Sequence, residues 1–165
     1  MINTKLSAAL NKQMGFEFYS EYLYRSMAAY CYSQNYKGFG TWLETQASEE
    51  HSHAMKIFHY LIERGAKVII SEIKQPPATF KSVLNLFEMV YDHEKNHVTA
   101  GIHKLYKMSL DENDYPTQIF LQWFVNEQVE EEANSLEILE KLKMIGDKSS
   151  GIFMLDHQYG KRKAS

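Results

Sequence analysis

The chain is poor in residues that cross-link or interrupt a fold. It has one cysteine, Cys31, so no internal disulfide can form, and a lone thiol fits a reducing compartment. Only three prolines and eight glycines punctuate 165 residues, and they fall in clusters, which leaves long stretches with nothing to stop a helix. No apolar run reaches membrane-spanning length, and the opening MINTKLSAAL lacks the apolar core of a signal peptide. A net charge of −3 gives no broad basic face for nucleic acid, and the terminal KRKAS reads as a short solvated tail. These absences lead to the expectation of a cytoplasmic protein that binds neither nucleic acid nor membrane.

What is present is helical period. Apolar residues recur in steps of three and four over roughly 4–33, 38–65, 80–109 and 116–145, and a shorter helix is predicted over roughly 148–159. NYKG, SLDENDYP and IGDKSSG make short connections, so the first and second helices, and the third and fourth, are expected to be antiparallel neighbours. The connection 66–79, AKVIISEIKQPPAT, differs. Pro76-Pro77 opposes helix and favours extended backbone. Fourteen extended residues reach at most roughly 46–50 Å, against about 42 Å for a helix of about 28 residues. The segment can therefore run the length of a bundle and bring the second and third helices parallel. The predicted fold is a single all-α unit over 1–165, a four-helix bundle with one long crossover and a short fifth helix, which among bundles is the ferritin-like arrangement.

The core-facing stripes contain acids. The second helix puts Phe39, Leu43, Gln46, Glu50, His53, Ile57 and Leu61 on one face. The first puts Glu17 and Glu21 among Leu10, Met14, Tyr24, Ala28 and Cys31. The third carries Val83, Phe87, Val90, Glu94, His97, Gly101 and Leu105, and the fourth Phe124, Gln128, Glu131, Ser135, Ile138 and Leu142. Glu21 is expected at the edge of its stripe. Each helix thus places a carboxylate near mid-length in its apolar face. An isolated buried carboxylate costs several kcal/mol even after relaxation, and four together also repel. Lysine and arginine are scarce near them, so two divalent cations are the natural compensation. Carboxylate oxygen with imidazole nitrogen suits iron and some other first-row metals. Glu50-x-x-His53 sets both groups one turn apart, able to reach one ion. Taken singly such a motif is most often a solvated face; it is informative here because all four helices contribute.

The strings NKQMGFEFYSEYLY, ASEEHSHAMKIFHYL, YDHEKN and DYPTQIFLQWFVNEQVEEE, with IGDKSSGIFMLD beyond them, resemble the ferritins, most closely the bacterial non-haem ferritins, along essentially the whole chain. The resemblance implies a di-iron ferroxidase centre inside each bundle. Glu17 and His53 would hold the first iron, Glu50 would bridge, and Glu94 and Glu131 would hold the second. Glu49, Glu127 and Glu130 match the acids of a third iron site, with Glu131 a candidate to be shared. Tyr24 matches a tyrosine beside the centre, and Gln128 a nearby polar residue. It further implies oxidation of Fe(II) by dioxygen or peroxide, storage of Fe(III) as mineral, and a hollow shell of 24 identical subunits, with Ile152, Phe153 and Leu155 available for assembly contacts. Asp111, Glu112 or Asp114 would line a cation pore, although a capped, solvated turn accounts for LDENDYP equally simply.

Departures narrow the class. The fourth helix carries EQVEEE and no second Glu-x-x-His, unlike bacterioferritins and rubrerythrins. His51 stands where a haem-binding methionine would, so no haem is expected, and no Cys-x-x-Cys pair marks a rubredoxin-type module. His97 is read as a core-edge histidine bonded to a neighbour in preference to an extra ligand, and His51, His59, His93 and His103 as surface residues. The competing readings are a DNA-protecting mini-ferritin, another di-iron carboxylate oxidase or peroxidase, and a metal-free bundle whose acids are merely solvated.

Overall fold

Local capping sets the helix boundaries. In the computed structural model, which describes residues 2–146 and 148–161, the Asn3 side chain accepts from the Lys5 N–H (2.7 Å) and opens α1, Thr4–Ser33. Of the basic tail KRKAS only Lys161 lies within the described residues. Asn35, in the left-handed region at φ 64°, turns the chain into α2, Lys37–Glu63. Ser82 caps α3, Val83–Asp92, by accepting from Asn85 N–H. The helix continues through a π-helical turn, His93–Thr99, into α4, Ala100–Asp111. Asp114 caps α5, Tyr115–Ile145, with Pro116 in the first turn, where its missing N–H is no loss. Gly146, at φ 61°, ends α5, and α6 follows over Ser149–Tyr159. There is no strand, and no helix is long and apolar enough to cross a membrane, among the described residues.

Cross-helix contacts fix the topology. Tyr30 meets Phe80, Tyr24 meets Glu94 and Gln13 meets Gly101, so α1 runs antiparallel to α3–α4. Gln46 meets Glu131, His53 meets Phe124 and Tyr60 meets Thr117, so α2 runs antiparallel to α5. With α1 and α2 joined by a tight turn, α2 and α3–α4 are parallel, as the long connection predicted. That connection is tied to α1. The Asn11 amide donates to Lys67 O (3.0 Å) and accepts from Ile69 N–H (2.7 Å), bracketing the backbone as a neighbouring strand would. Ser26 Oγ donates to Pro77 O (2.6 Å) further along. The extended segment thereby gains backbone partners that it lacks internally.

The hydrocarbon core falls into two clusters. One holds Leu23, Met27, Phe39, Phe87, Ile138 and Leu142; the other holds Leu6, Leu10, Ile57, Leu61, Leu121 and Phe124. Between them, at mid-length, lie the buried acids. α6 closes one end: the buried Asp156 carboxylate accepts from Phe39 N–H (2.7 Å) at the start of α2, where the helix dipole favours a negative charge. Gly38 is required there, because a Cβ would lie 1.6 Å from Asp156 O.

The third helix departs from the predicted stripe. His97, assigned inward, is 58% exposed at its side chain and lies 3.5 Å from Asp92. Val98 and Thr99 are buried in its place, and His93, assigned to the surface, is buried. The cause is the π-helical turn, whose i→i+5 bonding adds a residue per turn and rotates the residues after it. His93 packs against Phe16, Tyr19 and Tyr24, with Nε2 2.8 Å from Ser20 Oγ. Burial drives its pKa down to about 4, so the ring is neutral at pH 7. His51, His59 and His103 are exposed, as predicted.

Candidate metal centre

The stripes of α1, α2 and α5 point as predicted, and Glu17, Glu50, His53, Glu94 and Glu131 are all buried at mid-bundle. Glu21 sits at the edge, pairing with Arg25 and with His51 Nδ1. Glu17, Glu50 and His53 bring three ligand atoms within 4.8 Å of one another, and His53, Glu127 and Glu131 form a second such group. His53 belongs to both. Its Nδ1 faces Glu50 Oε2 at 3.5 Å, and its Nε2 lies 3.9 Å from Glu127 Oε1. Trp123 and Phe124 pack edge-on against the imidazole and hold its plane. Glu94 is in neither group, nor are Glu49 and Glu130, among the described residues. Glu130 is exposed and Glu49 half-buried.

Hydrogen bonding divides these groups. Three glutamines each donate to one carboxylate: Gln13 to Glu17 Oε1 (2.8 Å), Gln46 to Glu131 Oε2 (2.8 Å) and Gln128 to Glu94 Oε2 (3.2 Å). Tyr24 donates to the other Glu94 oxygen. By contrast Glu17 Oε2, both Glu50 oxygens and His53 Nδ1 are buried with no hydrogen-bond partner. Leaving one such atom unmet costs about 1–3 kcal/mol, more when charged. Four that converge are an unmet demand for a cation. Among the described residues no lysine or arginine reaches Glu17, Glu50 or Glu94.

The electrostatics agree. Burial, then Glu94 and Glu17, push the Glu50 carboxyl well above the usual carboxylate range. Burial raises Glu94 to about 7 against the lowering effect of its bonds from Tyr24 and Gln128. Tyr24 is also pushed up, by burial and by the carboxylates around it. Without a cation the cluster retains protons near neutrality, and a binding cation must displace them.

Some polar residues of the site were not singled out by the sequence. Gln46 lay in the apolar stripe of α2 without a role. Gln13 and Thr99 carried no signal: Gln13 lies off the predicted stripe of α1, and the partners of Thr99 are on another helix. In the acidic turn Asp114 is both a helix cap and an ion-pair partner. Both carboxylate oxygens accept from the Arg64 guanidinium at 2.9 Å, and Oδ1 also accepts from Thr117 N–H. Glu112 accepts from Asn3, and Asp111 pairs with Lys107. His97 is outside the cluster. His97→Ala is therefore expected to leave metal-dependent kinetics at the wild-type rate, which a stopped-flow comparison of the two proteins would check.

The Ferritin-like domain family matches residues 7–145. The chain is 42% identical to the bacterial non-heme ferritin of Campylobacter jejuni over 99% of its own length and 97% of the relative's. It is 40% identical to that of Bacteroides fragilis, over 98% and 100%. In structure it is similar to an open pore ferritin from the hyperthermophilic archaeon Archaeoglobus fulgidus, with a TM-score of 0.97 and 46% identity, covering 99% of this chain and all of the other.

Proposed function

The chain belongs to the ferritin family, and from that premise we propose that it is an iron-storage ferroxidase, a cytoplasmic protein that oxidises Fe(II) inside the bundle and deposits Fe(III) in a 24-subunit shell. The observation that carries this reading is the convergence of unpartnered buried ligand atoms on Glu17, Glu50 and His53, which among the described residues no lysine or arginine reaches. We read residues 1–165 as one unit.

Fe(II) enters as substrate. Glu17 Oε2 and His53 Nδ1 take the first ion, Glu50 offers one oxygen to each of two ions, and Glu94 and Glu131 take the second. Hard carboxylate oxygens stabilise Fe(III) over Fe(II), which favours electron loss from the bound pair. Two Fe(II) ions supply the two electrons and the medium two protons that convert dioxygen to hydrogen peroxide. With peroxide as oxidant, the same two electrons cleave the O–O bond to two hydroxides. Protons held by Glu50 and Glu94 in the metal-free state leave as the ions bind. Glu127, half-buried beside His53 and Glu131, continues the acidic surface outward, and with Glu49 and Glu130 it supplies a third site on the route of Fe(III) to the cavity. The centre's ligands are few, and the acids beside it continue outward, so oxidised iron is passed on and not retained.

Fe(II) added in air to the metal-free protein is expected to give a fast ferric absorbance increase that saturates at about two irons per subunit, by the ligand count of a di-iron carboxylate bundle. Electron microscopy is expected to show hollow particles of 24-subunit size. A monomer that binds no iron would overturn the proposal, and a shell of half as many subunits would favour the mini-ferritin reading.

A further inference from the structure

Glu94 and Thr99 are five residues apart. On a regular α-helix of 3.6 residues per turn that spacing separates two side chains by about 140°. One could face the bundle interior while the other faced away. Yet both are buried, and a single amide on α5 touches both: Gln128 Nε2 donates to Glu94 Oε2 at 3.2 Å and to Thr99 Oγ1 at 3.1 Å. The π-helical turn His93–Thr99 makes this possible, because i→i+5 bonding brings residues five apart into one column. A π turn has poorer bonding than the α-helix it interrupts, so its position here has a use. It delivers Thr99 to the group that holds Glu94.

The direction of the hydrogen bonds then matters. A threonine hydroxyl has one proton. Thr99 donates it to Glu132 Oε1 at 2.7 Å, so only a lone pair faces Gln128. Gln128 must therefore present its NH₂ there. The same NH₂ has a second proton, which goes to Glu94. If the hydroxyl proton were free, the Gln128 amide could turn over and present its carbonyl oxygen to the Glu94 carboxylate, which would repel it. Glu132 thus fixes the hydroxyl, the hydroxyl fixes the amide, and the amide fixes the carboxylate. Glu94 Oε1 is held separately by Tyr24. Each Glu94 oxygen keeps lone-pair capacity for a cation while its orientation is already set.

We propose that Thr99, set by the π-helical turn and by Glu132, is a positioning residue that acts through Gln128 to orient Glu94 for the second metal ion. This rests on the reading of Glu94 as a ligand of that ion. It predicts a selective effect: among the described residues the hydrogen bonds of Thr99 lead through Gln128 to Glu94 and not to Glu17, Glu50 or His53, so the ion held by those three keeps its affinity.

The test is anaerobic calorimetric titration of the metal-free assembly with Zn(II), a redox-silent probe. The relevant equivalent is the one lost in Glu94→Ala. Thr99→Val, near in shape and without a hydroxyl, is expected to weaken that equivalent by about 10-fold or more, the range for groups that orient metal ligands. The other equivalent keeps its wild-type affinity, and Thr99→Ser restores the second. Glu132→Ala, which removes the hydroxyl's acceptor from the half-exposed side, is expected to act in the same direction and serves if Thr99→Val does not fold. If Glu94→Ala titrates as wild type, the two-ion reading itself fails. If Glu94→Ala loses an equivalent that Thr99→Val and Glu132→Ala keep at full affinity, only the positioning role fails. Equal weakening of both equivalents, or no rescue by serine, would make Thr99 a general structural residue and overturn the inference.

Discussion

Glu50→Ala combined with His53→Ala is expected to abolish fast Fe(II) oxidation while leaving the bundle folded and the shell assembled. Loss should reach at least about 100-fold, since even residues that only orient metal ligands cost 10–100-fold. The reason is geometric. Glu50 is a buried acid with neither oxygen hydrogen-bonded among the described residues, and His53 belongs to both groups of converging ligand atoms. Removing both leaves Glu17 on one side and Glu131 with Glu127 on the other, with no residue to join them. On the proposed function, two ions then lose their common ligand, and the two-electron step loses its adjacent donors.

Folding should survive for a related reason. The Glu50 side chain has no hydrogen-bond partner among the described residues, and the two apolar clusters on either side of the acid layer do not include it. Truncation opens space, but the buried carboxylates of Glu17 and Glu94 act on that position, and such polar surroundings favour water there. Circular dichroism and sedimentation of the variant, beside its oxidation kinetics, separate the outcomes. A variant that neither folds nor assembles would show that the pair is primarily structural. One that folds and oxidises iron at the wild-type rate would place the chemistry elsewhere.

Much of this centre was legible in the sequence because an α-helix converts spacing into direction. Steps of three and four placed Glu17, Glu50, His53 and Glu131 in stripes whose hydrocarbon neighbours had to be buried, and an acid inside such a stripe has to point inward with it. The crossover was legible for a similarly physical reason, since Pro76-Pro77 excludes helix and fourteen extended residues span a bundle. The same rule failed on the third helix. It assumes 3.6 residues per turn, and the turn His93–Thr99 does not keep that period. Hence His97 was placed inward and His93 outward, the reverse of what is found. The glutamines were harder still. Gln13, Gln46 and Gln128 act by donating to acids, and for Gln46 and Gln128 the acid lies on another helix, so spacing along one stretch of sequence carries no mark of it. Gln128 lay in the predicted stripe of its helix, but its place beside the centre came only through resemblance. Thr99 combines both difficulties.

The centre should also make the metal-free protein less stable as pH rises from about 4.5 toward 7, and Glu50→Gln should remove part of that loss. Glu50 and Glu94 are held above their ordinary range, Glu94 at about 7, so the folded state binds protons that the unfolded chain releases near 4.5. Where the folded state holds the extra proton, stability falls with rising pH, by about 1.4 kcal/mol per pH unit for each proton held. His93 acts in the opposite sense. Its pKa is lowered from 6.5 to about 4, so the unfolded chain binds the extra proton and stability rises with pH across that window. Between about pH 4.5 and 6.5 the histidine therefore offsets one of the two carboxyl effects; above pH 6.5 it offsets neither, and the net slope is downward in both ranges. Glutamine at position 50 cannot ionise, and its amide can donate to Glu17 Oε2, which is otherwise unpartnered. The metal-free variant is expected to melt above wild type at pH 8, by a margin of about 1–4 kcal/mol in line with other buried-charge replacements, and nearer to it at pH 5. Saturating Zn(II) should reverse the order at pH 8, because a ligand that binds only the folded state stabilises the protein that binds it better. Scanning calorimetry at the two pH values, with and without Zn(II), measures all four quantities. A variant less stable than wild type in the metal-free state at pH 8 would mean that the Glu50 carboxylate is already compensated by the protein, and the cation would then not be what its burial requires.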